Sequence, residues 1–222
     1  MVGICTLVKG DYEIATKKFN LRGKYYPAAY INPIKTNFLD GIYIPKKTTN
    51  EVVNIQIGNS ADKSNKHFEV LDSLAKYKEE NINIFAPLSY SGDAEYIENL
   101  KKYGNEIFGK KFIPMLNFLS PQEYTKFLGD IDIAIFANER QQALGNIYAL
   151  TYLEKKIYIR DDISTWEYLS EELGVTLFNY KNIKNESFEE FSTTEFKTNN
   201  KRNIVKVMDE NEIKKKWDLI FK

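Results

Sequence analysis

Residues 55–69 read IQIGNSADKSNKHFE. The apolar run that stops at Gly58 predicts a buried strand, and the pattern that begins at Asn65 predicts a helix. The loop between them exposes several backbone N–H groups beside the positive end of a helix dipole, which makes it a candidate anion site. Ser60, Ser64 and Asn65 are candidate donors to a phosphate. The alternative is an ordinary turn in which Ser64 or Asn65 caps the helix, because the loop matches neither a Walker loop nor a GxGxxG fingerprint.

Strands and helices alternate after this loop. Strands are predicted over residues 52–58, 82–88, 131–137, 156–161 and 175–180. Helices are predicted over residues 65–79, 93–104, 120–130, 139–155, 164–174 and 210–221. The apolar segment 112–119 fits either type. The alternation predicts an α/β fold, a Rossmann-like doubly wound parallel sheet from about Glu51 to the end. Ligands of such sheets bind at the carboxyl ends of the strands, so four loops are expected on one rim: 58–65, 87–93, 114–120 and 137–142.

The first fifty residues follow a different pattern. They predict one strand and one helix, and then a proline-containing stretch, 25–50, that reads as a linker or an extended arm. One strand and one helix cannot bury a core alone, so we expect the chain to begin inside a larger fold. Near the other end, the polar stretch 188–203 predicts a mobile surface loop.

Composition argues against several classes of function. Lys plus Arg and Asp plus Glu both number 31, and this zero net charge argues against a dedicated nucleic-acid-binding protein. The single cysteine, Cys5, allows no intrachain disulfide, and the single histidine allows no Cys/His zinc cluster, so no metal and no cofactor is expected. The sequence has neither a membrane-spanning apolar run nor a secretory signal, so an intracellular protein is expected, with peripheral membrane attachment left open.

A second candidate loop is FANERQQALGN, residues 136–146. It joins a predicted strand to a helix on the same rim. Arg140 offers a fork of donors that suits a diphosphate. Gly145 costs roughly 1 kcal/mol against alanine inside a helix, which indicates close approach of a ligand or of a neighbouring element. The alternative is a plain helix whose arginine faces water, but two such loops on one rim favour a nucleotide or a nucleotide sugar.

Three further features each allow two interpretations. His67, in the first turn of the predicted helix, is either a phosphate or sugar contact or a partly exposed helix residue. Tyr90 either stacks on a base or sugar or packs on the surface. Asp161 and Asp162 are either a carboxylate pair or a loop that leads to the next helix.

Several of these runs occur together in a known family. They are IGNSADKSNKH, APLSY followed by AEYIENLKKYG, LSPQEYTKFLGDIDIAIFA, RQQALGN and YIRDDISTWEYL. In this order and spacing the sequence resembles the bacterial 4-acetamido-4,6-dideoxygalactose transferases, the TDP-Fuc4NAc:lipid II transferases of enterobacterial common antigen synthesis. The similarity extends from about Ile55 to Tyr180.

The resemblance implies the C-terminal, donor-binding half of a GT-B glycosyltransferase, in which two Rossmann-like domains face a cleft without an essential metal. Residues 51–222 would be the nucleotide-sugar-binding domain, and residues 1–50 a remnant of the N-terminal domain with a linker. The family's motifs fall on Gly58, Asn59, Ser60, Asp62, Ser64, Asn65, His67, Arg140, Gln141, Gln142 and Gly145. Base recognition is expected from Tyr90, Met115 and Leu116.

The family reaction implies both substrates and a location. It moves the amino sugar from a dTDP donor to a polyprenyl-diphosphate-linked saccharide, with inversion, in the cytoplasm at the inner face of the bacterial inner membrane. Most of the N-terminal acceptor domain is missing from this pattern, and the catalytic base is expected there, so no catalytic residue is assigned. A partner subunit or a further domain would supply it. The alternatives are a non-catalytic nucleotide-sugar-binding subunit and a structural domain with an empty rim.

Overall fold

The computed structural model describes residues 3–44, 51–196 and 198–221. In the N-terminal segment, strands β1 (Gly3–Thr6) and β2 (Lys24–Pro27) pair in parallel and are joined by helix α1 (Lys9–Phe19). Helix α2 (Thr36–Asp40) follows. The predicted strand and helix are therefore confirmed, and a second strand accompanies them.

Six parallel strands form the main sheet. They are β3 (Val53–Ile57), β4 (Ile82–Pro87), β5 (Phe112–Met115), β6 (Ile133–Phe136), β7 (Lys156–Ile159) and β8 (Phe178–Asn179). Their spatial order is β5-β4-β3-β6-β7-β8, so the chain first builds outward from β3 on one side and then on the other. This order is that of a doubly wound sheet, and it confirms the predicted fold class.

Helices cover both faces of the sheet. They are α3 (His67–Leu74), α4 (Ala94–Phe108), α5 (Pro121–Asp130), α6 (Leu144–Tyr152), α7 (Ser164–Glu167), α8 (Phe188–Ser192), α9 (Asn200–Met208) and α10 (Glu210–Ile220). Helix α7 continues into a π-helical turn at Tyr168–Glu172. The Trp217 indole of α10 donates to the Ala29 carbonyl (2.9 Å), so the last helix packs against the N-terminal segment.

Two hydrophobic cores lie on opposite faces of the sheet. Alternate residues of β6 divide between them: Ala134 and Phe136 face the core under α5, α6 and α9, whereas Ile133 and Ile135 face the core under α3 and α4. Alternation with a period of two is what a strand produces when both of its faces are buried. The strand β6 is therefore fully buried, as its uninterrupted apolar sequence predicts.

Two predicted irregular stretches are wrong in part. Within 25–44, β2 and α2 are regular, and Leu39 is buried in the core, so this stretch is not an extended arm. Within 188–203, Ser187 makes a capping box for α8, and Phe191 is fully buried. A long-range apolar contact, which local polarity does not reveal, anchors each stretch. The remaining linker residues, 45–50, lie outside the described residues, and the proposed division at residue 50 stays a prediction.

Helix boundaries also differ from those predicted. Helix α4 passes through Gly104 and ends at Phe108. Gly104 is therefore not a helix stop; the ring of Phe112 packs where a side chain at residue 104 would stand. Helix α6 begins only at Leu144, since Ala143 has a left-handed φ of 62°. The segment 112–119 is a strand followed by a loop.

Candidate functional site

A cavity of about 410 Å³ opens at the carboxyl edge of the main sheet. The loops after β3, β4, β5 and β6 all contribute to it, which confirms that the four predicted loops share one rim. Its walls are mainly apolar and aromatic, with a few convergent polar groups, as in most small-molecule sites. One wall comes from the N-terminal segment: Tyr30, Asn32, Pro33 and Ile34. Sequence reasoning missed this wall because it assigned those residues to a linker.

The side chain of Asn65 holds the loop after β3 together from the inside. Its Oδ1 accepts from the Asn59 amide (3.1 Å) and from Asn138 Nδ2 (3.1 Å). Its Nδ2 donates to the carbonyls of Ser60 (3.1 Å) and Asp62 (3.0 Å). Asn65 is fully buried, and every polar atom of its side chain is already used within the protein. Its role as a phosphate donor stays a prediction.

Gly58 is glycine for a reason other than ligand approach. Its φ is +63°, and a Cβ there would lie 2.6 Å from His67 Nε2 and 2.8 Å from Asn65 Oδ1. His67 is fully buried beneath the loop and bonds Tyr96 through Nδ1 (2.9 Å). Burial lowers the pKa of His67 to about 4, an effect that nearby Asp62 only partly opposes. His67 therefore supports the loop from below, which contradicts a partly exposed position. A ligand contact of His67 stays a prediction.

The backbone amides of this loop are largely occupied. The amides of Gly58, Asn59, Ala61, Asp62, Ser64 and Asn65 all have acceptors within the protein. Ser60 is also buried, at 1% exposure. The loop thus offers few free N–H groups, and the predicted backbone cradle for a phosphate is not present in this conformation. What the loop presents to the cavity is the side chain of Asn59.

The Arg-Gln-Gln segment braces this loop from the neighbouring strand end. Gln142 Oε1 lies 2.7 Å from Ser64 Oγ, and Gln142 Nε2 donates to Asn59 Oδ1 (3.4 Å). Arg140 forms an ion pair with Asp62 at 3.6 Å and is 64% exposed, outside the cavity lining. The hydroxyl and amide of Ser64 both donate to Asp62, and these bonds lower the pKa of its carboxyl group. The two predicted loops therefore contact each other directly.

The amino end of helix α6 faces the cavity. Ala143, its N-cap, provides no side-chain cap, and Gln141, Ala143, Leu144, Gly145 and Asn146 all line the cavity. Uncapped N–H groups at a helix start favour an anion. A Cβ on Gly145 would stand 3.0 Å from the Tyr30 hydroxyl and 3.2 Å from Asn32 Oδ1. The close approach predicted for Gly145 is therefore to a neighbouring element.

Two of the three base-binding candidates line the cavity and one does not. Tyr90 and Met115 line the cavity, and Tyr90 Oη accepts from Asn59 Nδ2 (2.7 Å). Burial raises the pKa of Tyr90. Leu116 is 46% exposed and does not line the cavity, whereas its neighbours Asn117 and Phe118 do. Tyr124 and Asn146 also line the cavity but were not predicted. Asn146 directly follows the RQQALG run, and its position on the turn of helix α6 is what directs it toward the cavity.

Asp161 and Asp162 belong to a structural ion-pair cluster. Arg160 binds Asp162 through two nitrogens (2.8 and 2.9 Å), and Lys181 contacts Asp161 (2.7 Å) and Asp162 (3.1 Å). Arg160 holds the pKa of the Asp162 carboxyl well below its usual range. Within residues 3–44, 51–196 and 198–221, no group of three His, Cys, Asp or Glu side chains is arranged to hold a metal. No helix of the described chain is long and apolar enough to cross a membrane.

Solved glycosyltransferases share this fold. A glycosyltransferase from Rickettsia africae matches with a TM-score of 0.73 at 11% identity, over 99% of this chain and 62% of that one. Sucrose-phosphate synthase from Thermosynechococcus elongatus matches with a TM-score of 0.69 at 8% identity, over 99% of this chain and 57% of that one. The UDP-forming α,α-trehalose-phosphate synthase from Burkholderia vietnamiensis has a TM-score of 0.64 at 10% identity, over 99% of this chain and 58% of that one. The fold is thus that of GT-B glycosyltransferases, and the chain spans about three fifths of the length of these structures.

The sequence also matches a specific family. The model of the 4-alpha-L-fucosyltransferase family, glycosyl transferase group 56, covers residues 9–218. The chain therefore belongs to this family. The match confirms the family resemblance that the ordered sequence runs carry.

Proposed function

We propose that this chain binds a nucleotide-sugar donor in the cavity and serves glycosyl transfer. The observation that carries this proposal is the 410 Å³ cavity between the uncapped start of α6 and the aromatic side chains that follow β4 and β5. Its volume lies within the roughly 300–1,000 Å³ typical of small-molecule sites. A nucleotide sugar combines a flat ring with a diphosphate, and the cavity offers a wall suited to each.

The start of α6 is the proposed diphosphate site. The positive end of its dipole favours an anion. During transfer, charge develops on the leaving diphosphate, so donors fixed at this position would stabilise the transition state more than the ground state. Gln141, at the lip of the cavity, is the sequence-predicted residue best placed to assist.

Arg140 is proposed to join the diphosphate when the donor binds. Its ion pair with Asp62 is exposed and long, and such surface pairs contribute little free energy. A diphosphate carries more charge than one carboxylate, and Arg140 can exchange partners with a change of rotamer. Asp62 and Ser64 then contribute to donor binding indirectly, because they stabilise the loop after β3 once Arg140 has moved away from Asp62.

The finer features of the proposal follow from the family. The donor is a dTDP-linked 4-acetamido-4,6-dideoxy-hexose, and the acceptor is a polyprenyl-diphosphate-linked saccharide of bacterial surface polysaccharide synthesis. Transfer inverts the anomeric centre and needs no metal, at the cytoplasmic face of the inner membrane. A further domain or a partner subunit supplies the acceptor site and the catalytic base, with residues 51–222 as the donor domain. The match covers 57–62% of the length of those structures, which supports a donor site in this chain and an acceptor site in another domain or subunit.

Titration calorimetry of the chain with dTDP, UDP and GDP tests the proposal. We expect binding of dTDP in preference to the other two, and an approximately tenfold or greater weakening in Arg140→Ala, as for the loss of a charge-assisted hydrogen bond. Arg202→Ala is the matched control, because Arg202 is an exposed arginine on α9 that does not line the cavity. A folded protein that binds none of the three nucleotides contradicts the proposal.

A further inference from the structure

A row of polar side chains connects the loop after β3 to the floor of the cavity. Gln56 Nε2 donates to the carbonyl of Gly58 at 2.9 Å. The same nitrogen lies 3.5 Å from the hydroxyl of Tyr124, which in turn donates to Asn146 Oδ1 at 2.5 Å. Gln56 is fully buried, and Tyr124 and Asn146 line the cavity. The row thus begins inside the protein and ends at a surface that a ligand can reach.

The inner end of this row fixes the orientation of the Gln56 amide. A backbone carbonyl such as that of Gly58 only accepts, so the Gln56 atom facing it must be the amide nitrogen. The second N–H of that nitrogen points toward the Tyr124 oxygen, which leaves the tyrosine proton for Asn146 Oδ1. The Asn146 carboxamide oxygen is therefore the atom held by the protein, and its NH₂ group is the atom left for the cavity.

Two further observations indicate that this NH₂ group is kept for a ligand. Within the described chain, Asn146 Nδ2 has no hydrogen-bond acceptor, and the bond from Tyr124 is the one side-chain hydrogen bond of Asn146. Gln56 Oε1 is buried without a partner, so the row retains a costly unpaired acceptor while it keeps its donors aligned. Asn146 is the third residue of α6, and helical side chains lean toward the amino end of their helix. Its amide thus lies beside the uncapped N–H groups.

We propose that Asn146 Nδ2 donates to a non-bridging diphosphate oxygen of the bound nucleotide sugar, and that Tyr124 is the positioning residue that fixes its direction. This inference rests on the proposed function, because it names the residues that read the donor at the same cavity. The ligand chemistry is that of an anionic oxygen, since the amide and the start of α6 together present only donors. The nucleoside occupies the aromatic part of the cavity and does not contact Asn146.

Calorimetry of the whole chain with thymidine, dTMP and dTDP separates these contacts. Asn146→Ala is expected to weaken dTDP binding about 10- to 100-fold, as for a hydrogen bond to a charged group, and thymidine binding less than about twofold. Tyr124→Phe is expected to weaken dTDP binding about 3- to 10-fold while the ring still packs. The double variant is expected to bind dTDP no more weakly than Asn146→Ala alone, because Tyr124 acts only through Asn146. Tyr77→Phe, which removes a buried hydroxyl bonded to the Glu186 carbonyl far from the cavity, is the control.

The outcomes are distinct. Normal binding of dTDP by wild type and unchanged binding by both variants overturns the inference but leaves the proposed function standing. Equal loss of thymidine and dTDP binding also overturns it, because the pair would then read the nucleoside. Additive losses in the double variant refute the positioning role of Tyr124. If folded wild type binds none of the three ligands, the proposed function fails, and this inference fails with it. Thermal unfolding of each variant shows that its fold is intact.

Discussion

The buried histidine makes the stability of this protein sensitive to mild acid. The pKa of His67 falls from its ordinary 6.5 to about 4 because the ring is buried under the loop after β3. Between these two pH values the unfolded chain binds a proton that the folded chain excludes. Stability from this group is therefore complete above pH 6.5 and is lost as the pH falls toward 4. At about 1.36 kcal/mol per pH unit, the full difference corresponds to a loss of about 3 kcal/mol.

The single histidine makes this effect directly measurable. Because the chain contains one histidine, its ring proton resonance in an NMR titration reports the folded pKa without ambiguity. Urea unfolding followed by the fluorescence of Trp166 and Trp217, from pH 7 to pH 4.5, reports the loss of stability. Carboxylates of the unfolded chain begin to bind protons toward the lower end, so the same series on His67→Gln is subtracted from wild type to isolate the histidine.

Two results would refute this reasoning. A folded-state pKa near 6.5 would mean that the ring is accessible to water and that the loop does not cover it. A flat difference between the wild-type and His67→Gln curves over pH 6.5 to 4.5 would mean that protonation is not coupled to folding. The NMR result stands without the variant, so a poorly folded His67→Gln leaves the prediction testable.

Two other perturbations test the packing around the sheet. In urea unfolding, Gly58→Ala is expected to destabilise the fold by at least about 2 kcal/mol more than Gly109→Ala. Both glycines have positive φ, but only the added Cβ at residue 58 would meet His67 and Asn65. Equal losses of stability in the two variants would mean that the loop adjusts to the Cβ without cost. Burial lowers the pKa of Lys156 to about 8, so wild-type stability is expected to rise between pH 8 and 10 relative to Lys156→Met, and a parallel pH dependence in the two proteins would contradict this.

Much of the architecture could be read from the sequence because its signals are local. The run IDIAIFA is apolar apart from Asp132, and its apolar part becomes the fully buried strand β6. Ser120, Pro121 and Glu123 predict the start of α5, and the structure has the complete capping box there. The alternation of strands with helices predicts a parallel sheet, since crossovers between parallel strands are stereotyped. The order of the strands comes from the structure. The position of the rim then follows from the strand ends alone.

The role of each site residue depends on contacts that are distant in sequence. Asn65 and Asn138 are 73 residues apart, and their hydrogen bond makes Asn65 an internal brace of the loop. Asn32 donates to the Gly145 carbonyl from 113 residues away, which brings the N-terminal segment into the cavity wall. No periodicity or turn signal encodes such a pairing, so the sequence located the rim but not the internal contacts of its residues.

These contacts change how the loop GNSADKSN is understood. Its small side chains leave space for Asn65 and His67 beneath the backbone, and its own amides are mostly satisfied internally. Through Gln142 and Asn138 it is tied to the loop after β6, and through Gln56 its first carbonyl orients the cavity floor. We therefore expect the loop to act on a ligand by holding the start of α6 in place. Substitutions inside it should therefore weaken nucleotide binding and lower stability together, whereas substitutions at Arg140 or Asn146 should weaken binding alone.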